Sequence, residues 1–150
     1  MLHPDFKDML SEFIVSKIDF LLVGAYALAA HGYPRSTGDI DIWVRADETT
    51  APRVHECLTR FGAPLHDLTI ADLARPGIIF QIGVPPVRID ILTKIDGVVF
   101  DDAWPRRLTI EWDGLAIPVI GLSDLIKNKR STHRTKDLAD AEQLEGSLDE

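Results

Sequence analysis

Apolar residues recur at helical spacing from Pro4 to Ser16, where Phe6, Met9, Leu10, Phe13 and Ile14 form one stripe, so an amphipathic helix opens the chain. The pattern then shortens to the apolar run Phe20-Leu-Leu-Val23, which marks a strand over 18–23. An Ala-rich stretch over 25–31 predicts a short helix, and the polar segment 32–38 a loop. A second strand follows over 40–44, then a helix over 50–61 that Gly62 stops. Thr69 can cap a short helix over 70–74. Strands over 78–82 and 87–92 flank Gly83-Val-Pro-Pro86, a hairpin connection, and a single helical turn is expected near Asp101-Asp-Ala-Trp-Pro105. Strands over 108–112 and 115–120 flank Asp113-Gly114, the strongest hairpin signal in the chain. Ser123 is expected to cap a helix over 125–130, and Thr135 one that ends near Gly146. These elements predict one α/β (α+β) domain over residues 1–150. A mixed sheet with flanking helices forms its core over about 18–120, and a short helical tail occupies about 122–146.

Within this pattern three acids stand out. Asp39 and Asp41 share one face of a strand whose other face carries Ile40 and Ile42. Asp is disfavoured in strands, so the pair is unusual. Two carboxylates about 6–7 Å apart along a strand can share one hard divalent cation or bracket two. Val87-Arg-Ile-Asp-Ile-Leu92 alternates in the same way, with Arg88 and Asp90 on one face and Ile89 and Ile91 on the other. Asp90 thus reads as a proton acceptor, as a further metal ligand, or as a strand residue paired with Arg88. Upstream, Gly24-Ala25 opens the Ala-rich helix, whose free backbone N–H groups suit a phosphate.

Val23-Gly24-Ala25 followed fourteen residues later by Asp39-Ile-Asp41-Ile42 resembles the signature of the nucleotidyltransferase superfamily, which includes DNA polymerase beta and kanamycin nucleotidyltransferase. Ala25 departs from the pattern, because Gly or Ser is usual there. The resemblance implies the nucleotidyltransferase fold, with Asp39, Asp41 and Asp90 as catalytic and metal-binding residues. It further implies Mg²⁺ (or Mn²⁺) as cofactor and a nucleoside triphosphate as substrate. Gly24 and Ala25 would contact phosphate, with Arg35 and Thr37 from the following loop. Lys129, Arg134, Asp137 and Asp140 are similar to a segment of small bacterial members, including abortive-infection and toxin–antitoxin nucleotidyltransferases. By that likeness Lys129 and Arg134 hold the triphosphate.

Charge and composition narrow the partners. The net charge of −8 argues against a general nucleic-acid coat. Residues 124–140 nevertheless hold five cations against three acids, either a solvated helical face or a grip on phosphate. One cysteine, Cys57, excludes a disulfide within the chain and a multi-cysteine zinc site, and the five histidines lack metal-ligand spacing. The acidic N-terminus lacks a signal-peptide core, and no apolar run reaches the roughly 20 residues needed to cross a bilayer, so a cytoplasmic location is expected. The leading expectation is an enzyme of the EC 2.7.7 type, which transfers a nucleoside monophosphate to a hydroxyl of a protein, tRNA or small molecule. A toxin–antitoxin or phage-defence setting follows from the resemblance. With about 30 residues after the last strand, the acceptor surface is expected from the helical tail, a second copy of the chain or a cognate partner protein. The alternative is a non-catalytic nucleotide- or metal-binding module that regulates a partner.

Overall fold

A computed structural model describes residues 2–35 and 37–148; Ser36 of the predicted loop lies outside the described residues, as do Met1, Asp149 and Glu150. The helices are α1 (Pro4–Val15), α2 (Gly24–Ala30), α3 (Thr50–Phe61), α4 (Ile70–Leu73), α5 (Phe100–Ala103), α6 (Leu122–Ser131) and α7 (Thr135–Leu148). The strands are β1 (Phe20–Val23), β2 (Asp39–Val44), β3 (Ile79–Val84), β4 (Val87–Leu92), β5 (Leu108–Trp112) and β6 (Leu115–Val119). They form one mixed sheet in the order β3-β4-β2-β1-β6-β5. The β1–β2, β3–β4 and β5–β6 pairs are antiparallel, whereas β2–β4 and β1–β6 are parallel. No helix among the described residues is long and apolar enough to cross a membrane.

The apolar face of the central strands is fully used. Ile40 and Ile42 of β2 and Ile91 of β4 are completely buried, and Ile89 nearly so. Leu10 and Phe13 of α1, Val54 and Leu58 of α3, and Phe20 and Leu22 of β1, the latter opposite Ile42, belong to the same core. Phe13 meets Phe20 edge-to-face at 5.6 Å between ring centres, a geometry that adds to simple area burial. On the opposite face, period two places Trp43 in line with Asp39 and Asp41. Trp43 is buried and meets Phe100 edge-to-face, so this face turns from polar to apolar along β2.

Two expected caps are corrected. Gly121, not Ser123, is the N-cap of α6, and Ser123 lies within the first turn. Thr135 is already the first residue of α7, and that helix runs to Leu148. In both cases the chain enters helical geometry earlier than the hydroxyl residue suggests, so the side chain cannot take the extended cap position. Thr69, by contrast, closes a full capping box with Asp72 on α4, and Gly62 terminates α3 in a left-handed conformation.

Candidate active site

The parallel pairing of β2 with β4 sets Asp39 beside Arg88 and Asp41 beside Asp90. Register alone therefore assembles three acids and one arginine into a quartet on one sheet face, at the carboxyl side of β1. Asp90 is only 6% exposed. The Arg88 guanidinium donates from Nε to Asp90 Oδ1 (2.8 Å) and from Nη2 to Asp90 Oδ2 (3.0 Å). The same Nη2 donates to Asp39 Oδ2 at 2.9 Å, so one side chain bridges two strands. The Arg88 backbone N–H also donates to the Gly38 carbonyl at 2.9 Å, which carries the ladder one step past Asp39.

Among the described residues no arginine forms an ion pair with Asp41. Burial raises its pKa to about 7, helped by a hydrogen bond to Asp90 and by the charges of Asp90 and Asp39, while Arg88 opposes the rise. Its carboxylate lies against Gly24, which begins α2 with a positive φ of 69°. A β-carbon at position 24 would overlap Asp41 Oδ2, so the turn from β1 into α2 and the acid on β2 are fitted to each other. No side chain caps the start of α2, which leaves its first backbone N–H groups without a side-chain acceptor.

These residues line an open cleft of about 580 Å³. Gly24, Ala25, Arg35, Thr37, Asp39, Asp41, Asp90, Lys129 and Arg134, all expected from the sequence, border it. Most of the expected phosphate-binding side chains are already engaged. Arg35 makes a two-point ion pair with Asp140, and Thr37 Oγ1 accepts from the Asp39 backbone N–H at 3.1 Å. Lys129, 9% exposed, lies between Asp137 (3.2 Å) and Asp140 (3.3 Å). Arg134 Nε donates to Asp137 Oδ2 at 2.7 Å, and Thr132 donates to the same oxygen. Asp137 is held below its ordinary pKa by these donors against its burial, which alone would raise it. The segment 129–140 is thus a welded polar core that ties the loop before β2 to α6 and α7.

Sequence reasoning missed Lys94, and counted Lys136 only as one of the five cations of residues 124–140. Both border the cleft, and among the described residues neither forms an ion pair. No alternation or motif marks Lys94; only the cleft walls, built from the end of β4 and the start of α7, bring it and Lys136 to one site.

The residues present suit a divalent cation. Three oxygen-donor carboxylates share one face, burial and the two neighbouring acids raise the pKa of Asp41, and the Arg88 guanidinium supplies part of the counter-charge they need. Among the described residues no group of three His, Cys, Asp or Glu side chains converges as a ready-made metal cage, because Arg88 stands among the acids.

No family model and no curated protein sequence matches the chain. Solved structures do. A protein of Thermotoga maritima with a provisional nucleotidyltransferase assignment aligns with a TM-score of 0.59 at 18% identity, covering 99% of this chain and 96% of its own. The lincosamide antibiotic adenylyltransferase LnuA, solved with lincomycin bound, aligns at 0.61 and 15% identity, with 97% of each chain covered. The antibiotic-resistance factor ANT(2'')-Ia, solved in complex with adenylyl-2''-tobramycin, aligns at 0.64 and 12% identity, covering 95% and 87%. The chain has the nucleotidyltransferase fold, as the sequence resemblance implies.

Proposed function

We propose that the chain is a minimal nucleotidyltransferase that moves a nucleoside monophosphate from a nucleoside triphosphate to an acceptor hydroxyl. The observation that carries the reading is the quartet on β2 and β4, where register puts Asp41 beside Asp90 and Asp39 beside Arg88 within a cleft. Asp39, Asp41 and Asp90 would hold Mg²⁺ or Mn²⁺. When bound, such an ion neutralises charge on the phosphates and on the attacking and leaving oxygens.

The chain's own groups then orient and receive. Backbone N–H groups at Gly24 and Ala25 face phosphate oxygens, and Lys94 and Lys136 balance the charge of the triphosphate tail. The acceptor oxygen attacks the α-phosphorus in line; a new P–O bond forms and the α–β bridging P–O bond breaks, so pyrophosphate leaves. The hydroxyl proton passes to Asp90, the carboxylate set beside Asp41 by the β2–β4 register. Arg35, Lys129 and Arg134 act first on the Asp137 and Asp140 carboxylates and shape the cleft wall, so their part in phosphate binding is secondary to that of Lys94 and Lys136.

For the acceptor we favour a small-molecule hydroxyl. LnuA matches this chain over 97% of both lengths, and lincomycin is bound to it, so a fold of this size needs no further domain to take a small acceptor. A protein or tRNA acceptor, a cognate partner and a toxin or phage-defence role draw support from the sequence resemblance alone.

The test is transfer of label from α-labelled nucleoside triphosphates, with Mg²⁺, to aminoglycosides, lincosamides, total tRNA and total cell protein. Label should reach one class of acceptor. Asp39→Asn or Asp41→Asn should abolish transfer, and Asp90→Asn should lower turnover by about 10²–10⁴. Wild-type rates in the Asp39→Asn/Asp41→Asn double variant would remove the enzyme reading.

A further inference from the structure

Arg88 is placed where the proposed cation would be needed. It satisfies both oxygens of Asp90 and one of Asp39, and it does so from within the sheet, with its own backbone fixed by Gly38. We propose that Arg88 is a positioning residue that holds the place of the divalent ion, so that metal and triphosphate load together. This inference rests on the reading of Asp39, Asp41 and Asp90 as metal ligands.

The argument is one of competing partners. Three acids on one sheet face repel one another and require a counter-charge. A planar guanidinium supplies it in a two-point geometry that an ammonium group could not match. A hard cation that draws on Asp90 or on Asp39 Oδ2 competes with Arg88 for the oxygens it now occupies, so its binding weakens at least one of the three contacts. In a cleft without nucleotide, the displaced guanidinium would gain only water. A triphosphate changes that balance, because Arg88 borders the same cleft and can exchange a carboxylate for a phosphate. Each ligand then favours the other, and thermodynamic linkage makes the effect reciprocal. The consequence is a site that stays closed to free cations and opens to the metal–nucleotide pair.

The experiment is Mn²⁺ titration of the full chain, read by electron paramagnetic resonance, with and without a non-hydrolysable triphosphate. Wild-type protein should bind Mn²⁺ alone weakly and tighten when the triphosphate is added. Arg88→Gln should bind Mn²⁺ alone at least about tenfold more tightly, the scale of one charge-assisted pair, and the triphosphate should add less than it does in the wild type. Arg88→Lys keeps the charge but loses the fork, and carries the test if the Gln variant does not fold; a smaller tightening is expected. If wild-type protein binds Mn²⁺, Asp41→Asn abolishes it and neither Arg88 variant binds more tightly than wild type, the placeholder role is overturned while the metal site stands. If neither wild type nor the variants bind Mn²⁺ in any condition, the metal reading fails and the Arg88 role with it.

Discussion

Arg35 and Asp140 stand 105 residues apart in sequence and meet through two hydrogen bonds, Nη2 to Oδ1 at 2.6 Å and Nη1 to Oδ2 at 3.2 Å. Asp140 also lies 3.3 Å from Lys129, so one buried carboxylate joins the loop before β2 to both terminal helices. Removing it leaves Lys129 with Asp137 and frees Arg35. Asp140→Ala is therefore expected to cost about 2–4 kcal/mol, near the lower end for a broken buried pair because one partner remains. Arg35→Ala, whose side chain is partly solvated, should cost less. Urea unfolding of both variants checks the order.

Gly24→Ala should be damaging out of proportion to its size. The left-handed backbone alone costs about 1–2 kcal/mol for a residue with a β-carbon, and the overlap with Asp41 falls on the carboxylate itself. We expect a modest fall in melting temperature and a large loss of Mn²⁺ affinity. An equal effect on both in Gly32→Ala, where the left-handed glycine has open space around it, would contradict the reading.

Asp41 carries a pH signature. Its folded pKa of about 7 lies above the ordinary carboxylate value, so the folded chain binds the extra proton between about pH 4 and pH 7. The stability this provides is complete below the unfolded pKa and is lost as pH rises through the folded one. Asp41→Asn should therefore stabilise the protein relative to wild type by an amount that grows from pH 4 to about pH 7 and then levels off. A gain of up to ~4 kcal/mol is the ceiling, since each pKa unit corresponds to about 1.4 kcal/mol. Melting temperatures of the two proteins across pH 4–8 give the comparison.

Lys94→Ala and Lys136→Ala should each weaken triphosphate binding about 5–20-fold, as expected for loss of an exposed charge-assisted contact. The effect should shrink at high salt. Arg130→Ala is the control, because Arg130 pairs with Glu145 and does not border the cleft. Fluorescent-nucleotide titrations at two ionic strengths distinguish the cleft lysines from a solvated face.

The acids were legible in the sequence because period two fixes the face of a strand residue once the apolar partners are seen. Asp39, Asp41, Asp90 and Arg88 all follow from alternation around Ile40, Ile42, Ile89 and Ile91. Which acid stands beside which required the β2–β4 register, and that is set by long-range pairing no local pattern contains. The basic segment shows the limit most clearly. Lys129 was visible as a cation suited to phosphate, but its partners, Asp137 and Asp140, lie on the next helix and approach it only when α6 and α7 pack together, whereas Arg134 meets Asp137 locally, three residues on. Ser123 and Thr135 failed as caps for a related reason, because helix starts depend on where the preceding chain bends.

The Asp39, Asp41, Arg88 and Asp90 side chains all belong to β2 and β4, and β2 is bonded on both sides within the six-stranded sheet. Regions paired on two sides and covered by core residues are the last to open in native-state fluctuations, whereas edges fray first. The outer strand β3 leaves Ile79 62% and Val84 75% exposed, and it can loosen without disturbing Asp39 or Asp41. Amide hydrogen exchange should thus be slowest at Ile40 and Ile42, and partial unfolding from the edge would reach the mouth of the cleft before its floor.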